Sequence, residues 1–203
     1  MTTAKDYAPA LDAPMATMAA RAWFGGGAQG FADELSARRQ SAQWAWAQAM
    51  EETAGLVTAR GGPCLQPPAV SSRVAAPALR GSEVGADVPA LAYLVVRLRQ
   101  AGGSLAAAGT ALGAELAAAG LPAGPAAVIG ETGRWAQAQA SAVGQRLALV
   151  EEMGKTVHLS ADMVAFGVFA SWLPGEAGPG SLLEQAASGS RAALAALLER
   201  QQG

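Results

Sequence analysis

Residues 87–119 read DVPALAYLVVRLRQAGGSLAAAGTALGAELAAA. Asp87 suits the N-cap of a helix, because its carboxylate can accept from a backbone N–H left unpaired in the first turn. Pro89 falls in that turn, where a backbone N–H is not needed. Leu91, Val95, Leu98, Gly102, Leu105, Gly109, Leu112, Leu116 and Ala119 then follow in alternating steps of four and three. This 3.5-residue period is the signature of a coiled-coil-like contact along one face of a long helix. Gly102 and Gly109 sit on the seam, each costing about 1 kcal/mol of helix propensity relative to alanine. The compensation expected there is close approach of a neighbouring backbone. Gly120-Leu121-Pro122-Ala123-Gly124-Pro125 breaks the helix. A second long helix is predicted from about Gly133, or as early as Ala126, to about Ser171. Its seam is Ala136, Ala140, Val143, Leu147, Val150, Gly154, Val157, Ala161, Val164 and Val168, with the same alternation. Two matching seams across a short Gly/Pro turn predict an antiparallel hairpin spanning 87–171.

Upstream, residues 61–86 hold Gly61, Gly62, Pro63, Pro67, Pro68, Pro77, Gly81 and Gly85 and read as a linker. Residues 28–59 contain no proline. Ala28, Ala32, Leu35, Arg39, Ala42, Trp46, Ala49, Thr53 and Leu56 form a helical stripe, weakened at Arg39 and Thr53. Before it, Gly25-Gly26-Gly27 ends a short helical stretch over Leu11–Ala22, with Pro14 placed for its first turn. Downstream of the hairpin, Ser181-Leu182-Leu183-Glu184 matches a capping box, and an amphipathic helix is expected to reach about Arg200. The expected organisation is therefore 1–60, a helix–Gly turn–helix unit; 61–86, a linker; 87–171, the hairpin; and 172–203, a C-terminal amphipathic helix. The fold class is all-α, an elongated helical bundle. Helix 28–59 is expected to pack along the hairpin, giving a core of Phe31, Leu35, Trp46, Leu56, Leu98, Leu112, Leu116, Leu147 and Val157.

Composition agrees with this class. Apolar residues make up 51% of the chain and charged residues 15%, which excludes a disordered polar polymer. Isoleucine occurs once, at Ile129, and no β-branched or aromatic run reads as a strand. The net charge of −2 and the scattered arginines give no basic patch for nucleic acid. The N-terminal twenty residues lack the unbroken apolar stretch of a secretory signal. No apolar run reaches the ~20 residues needed to cross a bilayer. Cys64 is the sole cysteine, so no intrachain disulfide can form. His158 is the sole histidine, without Cys or His companions at metal-ligand spacing. The adjacent pairs Glu51-Glu52 and Glu151-Glu152 diverge around a helix and cannot converge on one substrate atom. These patterns predict no catalytic residue, no metal site and no cofactor.

Trp23-Phe24-Gly25-Gly26-Gly27-Ala28-Gln29-Gly30-Phe31 is the stretch with a distinctive grammar. It resembles the turn of the WXG-type proteins of type VII secretion systems, mainly over residues 20–60. Trp23 and Gly25 match the Trp-x-Gly turn between two antiparallel helices, Ala28 the following small residue, and Phe31 the aromatic heading the second helix. The Tyr-x-x-x-Asp/Glu signal of that family is absent: Tyr7 is followed at the fourth position by Leu11, and Tyr93 by Arg97. The resemblance implies a non-enzymatic component or substrate-partner of a type VII secretion locus. Such a protein pairs with another small helical protein from the same locus, or with itself. It is made in the cytoplasm and, if exported, leaves without a cleaved signal peptide. A scaffold or chaperone-like adaptor unrelated to secretion is the alternative from the residues alone. Trp44 and Trp46 add candidate contacts, since tryptophan is enriched at interface hot spots. Trp46 lies on the stripe and reads first as core, whereas Trp44 lies off it and is balanced between core and interface.

Overall fold

The computed structural model describes residues 9–24, 27–66, 77 and 85–157. Gly25, His158 and the expected amphipathic helix after Ser181 lie outside the described residues, as do the second seam's side chains from Val150 onward. Four helices run through the described part: α1 (Asp12–Ala19), α2 (Ala28–Ala59), α3 (Val88–Ala118) and α4 (Gly124–Val157). Two short strands, β1 (Trp23–Phe24) and β2 (Gly85–Ala86), pair antiparallel. The class is all-α, as the composition and periods require.

α3 begins where the cap residues place it. Asp87 is extended, its carboxylate accepts from the Ala90 N–H at 2.9 Å, and Pro89 sits in the first turn. The helix ends in a Schellman motif. Gly120 has φ of +73°, the Leu121 N–H donates to the Leu116 carbonyl at 2.8 Å, and the Gly120 N–H donates to Ala117 at 3.0 Å. α2 ends in the same way, with Gly61 at φ +76° and the Gly62 N–H donating to Val57 at 2.9 Å.

α3 and α4 pack along their length as an antiparallel hairpin. The seam glycines of α3 lie against the backbone of α4. A Cβ on Gly109 would lie 2.6 Å from the Gly130 nitrogen, and one on Gly102 would lie 2.8 Å from the Gly133 carbonyl oxygen. The helix propensity lost at both positions is thus exchanged for backbone-to-backbone proximity. Leu91, Leu98, Leu105, Leu116, Ala136, Ala140, Val143 and Leu147 are all buried. α2 lies against α4, and α1 bridges α2 and α3.

The main core gathers Met15 and Met18 of α1, Trp23 of β1, Phe31, Leu35 and Trp46 of α2, Leu94 and Leu98 of α3, and Ile129 and Val143 of α4. A smaller cluster of Ala49, Leu116 and Ala126 closes the far end of the hairpin, with Leu112 and Leu121 packed against it. Leu56 and Leu112 of the expected core are half-buried. Arg39 interrupts the apolar stripe of α2 because it reaches Asp12 of α1 at 3.5 Å. Thr53 is exposed, its hydroxyl donating to the Ala49 carbonyl at 2.7 Å.

The region around Trp23 departs from a simple helix–turn–helix. α1 is only eight residues long, and the chain leaves it through Arg21 at φ +60°. Trp23 then pairs with Ala86 and Phe24 with Gly85, and the Asp87 N–H donates to the Ala22 carbonyl at 2.9 Å. Residues 85–86, the last of the expected linker, are therefore a strand that clasps the N-terminal unit to the start of α3. Gly85 is needed there because a Cβ would lie 2.5 Å from the Phe24 ring, whose other contacts include the Arg21 guanidinium at 4.2 Å.

Candidate interaction surfaces

The residues singled out by sequence separate into two groups. Trp23 and Ala28 are fully buried, Phe31 is 1% exposed and Trp46 is 3% exposed, and all four belong to the main core. Their rings are ordered. Trp23 meets Phe31 at 5.9 Å between centroids, tilted by 37°, and Phe31 stacks on Trp135 at 6.2 Å. The Arg38 guanidinium lies 5.8 Å from the centre of the Trp135 ring. This ladder joins β1, α2 and α4, and such aromatic contacts add about 0.5–1.5 kcal/mol per pair beyond the area they bury.

Trp44 forms the other group by itself. It is 70% exposed, the largest exposure among the bulky apolar side chains described. Two residues before the buried Trp46, it points to the opposite side of α2. It stands over an open groove of about 810 Å³ lined by Gln40, Ser41, Gln48 and Glu51 of α2 and by Val128 of α4. Val128 is itself 37% exposed, so the groove has an apolar rim on both helices. Among the described residues, Glu51 is the one charged residue lining it. Such a surface offers contact area and amide hydrogen bonds rather than a reacting group.

No known family, curated protein or solved structure matches this chain. Its surfaces therefore carry the functional argument.

A second surface went unread in the sequence. On α3, Tyr93, Val96, Gln100, Gly103, Ala107, Thr110, Ala114 and Ala117 are all exposed. They alternate in steps of three and four along the side facing away from α4, and none is charged. Tyr93 is 48% exposed and Val96 47%. Arg97 lies along this face, its Nη1 donating to Gln100 Oε1 at 3.1 Å and its guanidinium 4.6 Å from the Tyr93 ring centre. Arg97 Nη2 also donates to the Tyr93 hydroxyl. The signal that could have revealed this face was the period itself, hidden because alanine, glycine and threonine also suit a solvated helix.

The charged interior is small. Arg146 of α4 is 4% exposed, and desolvation lowers its pKa to about 10, which leaves it charged at neutral pH. Its Nη1 donates to the Ala142 carbonyl at 3.2 Å. Among the described residues no group of three or more His, Cys, Asp or Glu side chains could hold a metal ion. Cys64 is exposed. No helix among those described is long and apolar enough to cross a membrane.

Proposed function

We propose that this chain is a non-enzymatic helical component or substrate-partner of a type VII, WXG-type secretion locus and acts by pairing with another small helical protein. The observation that carries the pairing is Trp44, an indole left 70% exposed beside Val128 over an open groove. Burying that ring against a partner removes a large apolar surface from water, and tryptophan is a preferred residue for such anchors. The link to a secretion locus rests on the resemblance around Trp23, with Trp23–Gly25 as its turn. Contact between Trp23 and Phe31, the two aromatic positions of that resemblance, supports it. The protein is then made in the cytoplasm and, if exported, leaves without a cleaved signal peptide.

The test is co-purification with the products of adjacent genes. Capture of a small helical partner is expected, and Trp44→Ala should weaken it at least tenfold while the far-ultraviolet circular dichroism stays unchanged. Equal capture by the variant would remove Trp44 from the interface. Appearance of the protein in the culture supernatant only when the secretion system is intact tests the second half of the proposal. A scaffold or adaptor unrelated to secretion is the competing reading. It is favoured by the closed core that α1 to α4 build within one chain, and secretion-independent localisation would select it.

A further inference from the structure

We propose that the outer face of α3 is a self-association surface, occupied by α3 of a second copy of this chain running antiparallel. The inference does not depend on the secretion reading, and it concerns a different face from the Trp44 groove.

Charge placement is the first argument. α3 carries three charged residues, Arg97, Arg99 and Glu115. Arg97 and Glu115 are separated by five turns of 3.6 residues, so they project from the same flank of the helix. An antiparallel pair brings like flanks together. With the twofold axis midway between these two residues, near Ala106 and Ala107, each Arg97 faces Glu115 of the other copy. One contact thus creates two identical ion pairs, as an isologous interface requires. A parallel pair in register would instead bring opposite flanks together, setting Arg97 of one copy beside Arg99 of the other and leaving Glu115 without a cation. Within one copy the Glu115 carboxylate has no hydrogen bond or ion pair among the described residues, and the Arg97 guanidinium bonds there only to the neutral groups of Tyr93 and Gln100.

Shape gives the same answer. The bulky exposed residues, Tyr93 and Val96, lie at the N-terminal end of the face. Its C-terminal end carries Ala114 and Ala118, both exposed. Antiparallel pairing in the register set by the charges lays the bulky end of each copy on the small end of the other. At the centre, a Cβ added to Gly103 would meet nothing within 4 Å, so two backbones can approach there. The face also repeats at the 3.5-residue interval that keeps two helices in register over several turns. A contact made by one helix from each copy falls in the small-interface class, under about 1,200 Å² in total. The association is therefore reversible and concentration-dependent.

Sedimentation equilibrium of the full chain across a concentration series tests this. A monomer–dimer equilibrium is expected. Glu115→Arg and Arg97→Glu should each weaken the dimer about tenfold, because each substitution breaks both symmetric pairs and creates like-charge contacts. The double variant Arg97→Glu/Glu115→Arg should recover most of that loss. In a Cys64→Ser background, Ala107→Cys should form a covalent dimer on mild oxidation. Ala118→Cys, far from the twofold axis, should not. A chain that stays monomeric at every concentration overturns the proposal, as does a double variant no better than the singles. Trp44→Ala should leave the dimer intact, so failure of partner capture and failure of self-association are read separately.

Discussion

The two faces of α3 share one helix and one rhythm but have opposite fates. The inner face, through Leu91, Leu98, Gly102, Leu105 and Gly109, is buried against α4. The outer face, through Tyr93, Val96, Gly103 and Ala107, is exposed. The difference lies in side-chain volume more than in period. Leucines on the inner face supply the apolar area that drives packing inside the chain. Alanine and glycine on the outer face supply too little area to recruit an element of the same chain, yet they carry no charge that would repel a neighbour. A seam read from periodicity therefore says that a helix can be contacted lengthwise. It does not say by whom.

Substitutions on each face sharpen this contrast. The largest expected effect is Leu98→Ala, which empties a fully buried site and should destabilise the chain by about 3 kcal/mol in urea unfolding. A loss near zero would mean that the inner face is not the core. Gly109→Ala comes next. Its new methyl group would press on the Gly130 backbone at 2.6 Å, where no flexible side chain can yield, and should cost about 2 kcal/mol. Gly103→Ala is the mirror experiment on the outer face. Its Cβ enters open space, so the gain in helix propensity should raise stability by about 1 kcal/mol, measured at concentrations where the chain is monomeric. The smallest effects belong to Val96→Ala and Trp44→Ala, each expected within about 0.5 kcal/mol of the parent in thermal unfolding because both side chains are largely in water. Opposite signs for the two glycines would be the sharpest confirmation, since the substitution is chemically identical.

The hairpin was legible because its seam residues are few in type and long in run. Leu91 through Leu116 count out the same interval, and the Asp87 cap and the Gly120 stop bound the helix. Trp46 was legible as core because it lies on the stripe of α2. Trp44 was not resolved by sequence, since an off-stripe tryptophan can be buried by a third element or left exposed, and only the position of α4 decides. The pairing of Trp23-Phe24 with Gly85-Ala86 could not be foreseen. Two residues carry no alternation to read, and their partners lie about sixty residues apart. Arg39 looked like a flaw in the stripe, whereas its contact with Asp12 makes it a tie between α1 and α2.

That clasp also orders events in time. Contacts between α3 and α4 join residues linked by a tight turn, so the hairpin can zip outward from Gly120 with little loss of chain entropy at each step. The β1–β2 pairing must instead close a long segment containing all of α2, a cost that rises with the logarithm of its length and is met by only a few hydrogen bonds. The clasp therefore forms late and opens early. The Asp87 amide, bonded to Ala22 across it, should exchange with solvent deuterium well before the amides at the middle of α3. A partner that engages the chain during synthesis meets α1 and α2 before the strand that fastens them has been made.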